Sequence, residues 1–224
     1  MHSTKIENYK KGLKLTKQQR EIIVGTLLGD GHLETLDSGK TYRLKIEHSS
    51  KQKEYVDWLY NQFKSWTNKP PRLWKRYSKF PNDSTIISQK CGFTTYSHGI
   101  LRFYGQQFYS EKGIKIIPKL IKKLLTPTSI AIWYLDDGSF KSQKHRTFII
   151  HSHGYSKNEL KMVQKGFAKF GIKTRLHKQK REKGIYWRIY VLSESADKFA
   201  EIIKPIINQI PSMKYKLGNK LPKE

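Results

Sequence analysis

The polarity pattern along the chain changes period several times. Residues 17–29 hold a nearly unbroken apolar run, Ile22-Ile23-Val24-Gly25-Thr26-Leu27-Leu28, that predicts a buried helix. Thr16 and Gln19 form a capping box at its start. A short strand is expected at 32–36, then a turn at Asp37-Ser38-Gly39-Lys40. Over 41–47 the pattern alternates: Tyr42, Leu44 and Ile46 are apolar, while Arg43, Lys45 and Glu47 are charged. Period two predicts a strand with one buried face and one basic, exposed face. Tyr55, Leu59 and Phe63 give 51–65 the stripe of an amphipathic helix. Pro70-Pro71 then opens a basic, aromatic stretch through Trp74, Lys75, Arg76 and Tyr77 that reads as a loop. Strands are expected at 85–90 and 94–103, and a helix at 105–113.

The second half replays this order. Thr126 with Pro127 at the first helical position opens a helix over about 127–136. Strands follow near Ser139 and at 146–151, then a helix at 157–170. Strands at 173–179 and 185–192 flank the charged hairpin 180–184, and a helix at 196–208 closes the half. His48 and His151, each followed by Ser, hold matching places on this reading of the repeat. The expected fold class is α+β, with two αββαββα-type halves related by a pseudo-two-fold axis. The divisions are a polar, basic arm at 1–15, a first half at 16–118, a linker at 119–126, a second half at 127–217 and a tail at 218–224.

Both buried helices end in Asp-Gly, as Leu28-Gly29-Asp30-Gly31 and Leu135-Asp136-Asp137-Gly138. An aspartate there opposes the negative end of the helix macrodipole. Between Glu111 and Glu159, Asp136 and Asp137 are the only carboxylates amid many lysines. One such end would read as a solvated turn; two in matching places point to a cation-binding role. Asp30 and Asp137 lie 107 residues apart, and a two-fold axis between the helices brings them together. Paired carboxylates repel and call for a positive partner. A hard divalent cation with oxygen ligands, Mg²⁺ first, suits them, with Mn²⁺ or Ca²⁺ as substitutes for binding. The backbone carbonyls of Gly29 and Asp136 are further candidate ligands. The copies differ at two places: Ile132 matches Gly25, and Asp136 matches Gly29. The small residues that permit close helix approach therefore sit on one helix only.

Composition narrows the partner. The net charge is +26, from 44 Lys+Arg against 18 Asp+Glu, and it is spread along the chain. An anionic polymer is the natural partner, although charge does not choose between DNA and RNA. The single Cys91 excludes a disulfide framework and a cysteine zinc site, and reads as a small buried or strand residue rather than a nucleophile. No run has the length of a membrane span, and 1–15 lacks a signal-peptide core. Abundant Lys, Ile, Asn and Tyr suggest AT-rich coding. Location is therefore expected in an organelle (mitochondrion or chloroplast) or a bacterial or archaeal cytoplasm, without secretion.

The two Asp-Gly helix ends, with Leu125-Thr126-Pro127 leading into Trp133-Tyr134-Leu135-Asp136-Asp137-Gly138, resemble the LAGLIDADG homing endonucleases in their single-chain, two-motif form. The likeness runs from about Thr16 to Leu217. It implies motif helices packed at the centre beneath two saddle-shaped antiparallel sheets that lie over DNA. It also implies a monomer that hydrolyses both strands of a long asymmetric target, leaving short 3′ overhangs. Asp30 and Asp137 would be the catalytic metal ligands. Lys115 and Lys216 stand where this family carries basic active-site residues. DNA contacts are expected from Arg43, Lys45, Arg175, His177 and Arg188 on strands, and from Lys75, Arg76, Lys141, Lys144 and Arg181 in loops. The alternatives are an intron RNA maturase on the same fold and a DNA-binding regulator without catalysis.

Overall fold

The computed structural model describes residues 4–77, 86–141, 147–182 and 184–218. Its first half runs α1 (Thr4–Lys11), α2 (Lys17–Leu28), β1 (His32–Glu34), β2 (Arg43–Ser49), α3 (Lys53–Gln62), β3 (Arg72–Tyr77), β4 (Ile86–Thr94) and α4 (Arg102–Phe108). A short α5 (Ile121–Leu124) connects it to the second half. There follow α6 (Pro127–Asp137), β5 (Gly138–Phe140), β6 (Phe148–Ile150), α7 (Lys157–Ala168), β7 (Thr174–Arg181), β8 (Gly184–Val191) and α8 (Ala196–Ile207), then a 3-10 segment at Pro211–Leu217. Each half makes one antiparallel sheet, ordered β1-β2-β4-β3 and β5-β6-β8-β7. The expected α+β class and the αββαββα order are both present.

The motif helices form the centre. Both begin with capping boxes, Thr16 with Gln19 and Thr126 with Ser129, which satisfy amides that no helical carbonyl reaches. Ile22, Ile23, Leu27 and Leu28 of α2 and Ile130 to Leu135 of α6 are almost wholly buried. The helices pack through unlike pairs. A Cβ on Gly25 would lie 2.6 Å from the Ile132 Cβ and 2.7 Å from the Ser129 carbonyl oxygen, and one on Gly29 would strike the Asp136 carboxylate. Gly25 therefore receives Ile132 and Gly29 receives Asp136, each with its own repeat equivalent. Equivalent residues meet only where a two-fold axis passes, so the one-sided glycines match bulk on the facing helix.

Two expectations about the strands are corrected. Residues 72–77 form β3, not a loop, and Lys75 and Arg76 lie on it; Arg181 likewise lies at the end of β7. Residues 95–101 hold no strand: β4 is one strand through Thr94, followed by a 3-10 turn at Gly99–Leu101. Gly92 sits inside β4 where a Cβ would collide with the Ile46 carbonyl, so it serves close backbone approach. The N-terminal arm forms α1 within the chain itself, with the Tyr9 hydroxyl donating to the Ser65 carbonyl at 2.9 Å and a His98 ring nitrogen 3.1 Å from the Lys10 carbonyl. Cys91 is a buried β4 residue, as expected, and burial pushes its thiol pKa up. Among the described residues no helix is long and apolar enough to cross a membrane.

Candidate active site

The two motifs end differently. α6 continues to Asp137, whereas α2 stops at Leu28 and leaves Asp30 on the turn into β1. Neither following glycine has the left-handed φ of a common helix stop: Gly29 has φ −101° and Gly138 φ −85°. Gly138 is required by contact, because a Cβ there would run into the ring and carbonyl of Tyr134.

The Asp30 side chain is half exposed, at 51%. Asp137 is more enclosed, and the Trp133 indole donates to its Oδ2 at 3.1 Å. Burial, then the charge of Asp30, pushes the Asp137 pKa up to about 7, against the pull of Trp133, Lys115 and Lys216. Asp136 is fully buried between the halves. Its Oδ2 accepts the Asp30 backbone N–H at 3.0 Å and its Oδ1 accepts the Tyr55 hydroxyl at 2.7 Å. Burial and the charges of Asp30 and Asp137 hold its pKa well above the usual carboxylate range.

Both expected lysines arrive. Lys115 Nζ donates to the Gly29 carbonyl at 2.5 Å. Lys216, buried in the Pro211–Leu217 segment, donates to the carbonyls of Leu135 at 2.5 Å and Gly138 at 2.9 Å, with the Asp136 carbonyl at 3.4 Å. Burial lowers the pKa of both amines, that of Lys216 to about 8, opposed by the three aspartates. Asp30, Asp137, Lys115 and Lys216 thus converge, and the lysines also take up the two carbonyls considered as extra metal ligands.

His48, Tyr55 and Trp133 complete the surroundings. The His48 side chain is 1% exposed, with Nδ1 3.5 Å from Asp30 Oδ2 and Nε2 3.8 Å from Asp136 Oδ1. That Nε2 has no hydrogen-bond partner, and burial drives the ring pKa down to about 4. His151 is not its equivalent. β5 pairs Gly138 with Ile150, and β1 pairs His32 with Lys45, which carried back one step sets Gly31 beside Ile46. Ile150 therefore corresponds to Ile46 and buried Ser152 to His48, a slip of one residue from the sequence reading. One residue of slip exchanges the two faces of a strand. The sequence pattern shows Tyr55 only as part of an apolar stripe, because periodicity does not register a hydroxyl.

Strand register sorts the basic residues. Leu44, Ile46 and His48 face inward, so Arg43, Lys45 and Glu47 face out. Arg43 Nη2 is 2.8 Å and Lys45 Nζ 3.3 Å from Glu34, which partly neutralises them. Trp74 pairs with Lys90 and Lys75 with Gln89, so Arg76 shares the outer face and Lys75 takes the opposite one. On the second sheet the His177 ring stacks on Tyr190 at 3.9 Å between centroids, Arg188 Nε donates to His153 at 3.2 Å, and Lys141 lies over Tyr190. Arg175 is exposed. Lys144 lies outside the described residues, and for Arg181 only the backbone is described.

The donor set fits a hard divalent cation. Its free acceptors are carboxylate oxygens, its two acids repel each other, and its two amines are bonded to backbone carbonyls. Among the described residues no group of three or more His, Cys, Asp or Glu is arranged to hold a metal. Two carboxylates with the remaining ligands from water and phosphate are what Mg²⁺ accepts.

Two αββαββα halves crossing on a pair of acid-tipped helices define a single-chain, two-motif protein. The chain belongs to the LAGLIDADG DNA endonuclease family, whose signature matches residues 20–199. It is 29% identical over 225 residues to the DNA endonuclease I-ChuI of Chlamydomonas applanata, covering 93% of this chain and 99% of that one. It is 31% identical to the cytochrome b mRNA maturase bI2 of Saccharomyces cerevisiae, over 89% of this chain and 47% of the maturase. The solved structure of the homing endonuclease I-WcaI bound to its DNA recognition sequence matches with a TM-score of 0.83 at 26% identity, over 96% and 93% of the two chains.

Proposed function

We propose that this protein is a monomeric, Mg²⁺-dependent endonuclease that cuts both strands of double-stranded DNA at a long asymmetric site. The observation that carries this is the convergence of Asp30, Asp137, Lys115 and Lys216 at the ends of two crossed helices, below sheets with basic outer faces. Family membership and the likeness to I-WcaI support it.

Asp30 and Asp137 would hold the metal, which supplies Lewis-acid polarisation of the phosphate and a bound water of lowered pKa. Lys115 and Lys216 hold the helix-end carbonyls in place and put positive charge beside the position of the scissile phosphate. Trp133 orients the Asp137 carboxylate. Arg76, Arg175, His177, Arg188 and Lys141 are placed to hold the phosphate backbone and reach base edges. The two halves differ in residue at nearly every outer-face position, so the target is asymmetric.

Splicing assistance on intron RNA is the second reading, favoured by the likeness to the maturase bI2. A randomised double-stranded DNA library incubated with Mg²⁺ or with EDTA tests both. Metal-dependent cuts at one long motif are expected. No cutting, with tight binding to structured intron RNA, would replace this reading with the maturase.

A further inference from the structure

Past the end of α2 the backbone donors divide between the halves. Gly29 N–H bonds the Gly25 and Thr26 carbonyls, and Gly31 N–H bonds the Thr26 carbonyl, all within the first half. Between them, Asp30 N–H crosses to the second half and bonds Asp136 Oδ2 at 3.0 Å. The Asp136 side chain is 0% exposed, seated on Gly29 and turned by the Tyr55 hydroxyl on its other oxygen.

An apolar side chain would fill this space and avoid burying a carboxylate, but it would strand two donors, the Asp30 amide and the Tyr55 hydroxyl. The contact has no mirror image across the pseudo-two-fold axis. The equivalent of Asp136 is Gly29, and Asp137 is a helical residue whose carboxylate is held by Trp133.

We propose that Asp136 is a positioning residue for Asp30: its buried carboxylate clamps the Asp30 backbone from the opposite half and so sets where the first motif's acid stands. The clamp is a property of the free protein, whereas its effect on rate rests on the endonuclease reading.

The test is amide hydrogen exchange by NMR on the full chain, without DNA and in EDTA, followed by single-turnover cleavage. In the wild type the Asp30 amide should exchange slowly. One lost hydrogen bond is worth about tenfold, so Asp136→Ala should speed exchange at Asp30 by about that factor and leave Gly29 and Gly31 within about threefold. Asp136→Asn keeps an acceptor of the same shape and should retain most of the protection. On a cleavable target with Mg²⁺, Asp136→Ala should lose about tenfold or more in rate with DNA affinity within about threefold, and Asp136→Asn should recover part of that rate. Fast exchange at Asp30 in the wild type overturns the proposal. So does equal loosening of all three amides, or wild-type cleavage by the alanine variant. If that variant does not fold, Tyr55→Phe carries the test: freeing the carboxylate should speed Asp30 exchange by about threefold, and no change refutes the clamp. If the wild type cuts no DNA, the endonuclease reading falls and the exchange data still decide the clamp.

Discussion

Asp30→Asn separates catalysis from the repulsion between the two acids, because the charge it removes is one that raises the Asp137 pKa. The Asp137 pKa rises from 3.8 to about 7, and at about 1.4 kcal/mol per unit its carboxylate carries a penalty of about 4 kcal/mol above that pH. Burial is the largest cause and Asp30 the second, so Asp30 accounts for less than half. Its half-exposed side chain is screened by water, which leaves about 1 kcal/mol. The native state keeps a proton on Asp137 between about pH 4 and 7 that the unfolded chain has released. Stability from this group therefore falls as pH rises through that window and is lowest above pH 7. Urea denaturation in EDTA should show Asp30→Asn more stable than wild type by about 1 kcal/mol at pH 8, about 2–4 °C in melting temperature for a chain of this size. At pH 5, where Asp137 is already neutral, the gain should vanish. DNA cleavage should be abolished at both pH values. No gain at pH 8, or an equal gain at both, would show that the two acids do not share one field.

The same repulsion predicts that Mg²⁺ raises the urea midpoint of the wild type at pH 8 more than that of Asp30→Asn; equal shifts would remove the acids from the metal site. Gly25→Ala gains up to about 1 kcal/mol of helix propensity but forces a methyl against Ile132 and the Ser129 carbonyl, so a net loss of about 1–2 kcal/mol is expected in denaturation. Lys216→Met leaves the Leu135 and Gly138 carbonyls without their charged donor and should cost about 2–3 kcal/mol, measured the same way. DNA affinity should fall linearly on a log–log plot against salt, with a slope near the number of phosphates neutralised; a flat response would contradict a basic sheet face as the contact surface.

The strength of the local signals decided what was legible in advance. Thr16 with Gln19 at one start and Thr126 with Pro127 at the other act within a single turn, so both motif helices could be placed to within a residue or two. The spacing of Asp30 and Asp137 carried the two-fold relation, and the family resemblance carried Lys115 and Lys216 toward the acids.

What escaped depends on groups far apart in the chain. The strands expected at 85–90 and 94–103 look separate until β4 runs unbroken through Gly92, where the Ile46 carbonyl leaves no room for a Cβ. His48 and His151 look equivalent until strand pairing shows the one-residue slip. Gly29 and Asp136 look like a departure from symmetry until each is seen to fill the space of the other. The sequence by itself determined most of the elements, their order, the repeat and the acid pair, because caps, periodicity and charge act over a few residues or over the whole chain. Only the tertiary structure decided that Asp136 clamps Asp30, that Trp133 holds Asp137 and that His48 lies buried between two carboxylates. Those interactions gain their strength from shared exclusion of water, and which groups are excluded together is settled when residues a hundred positions apart pack side by side.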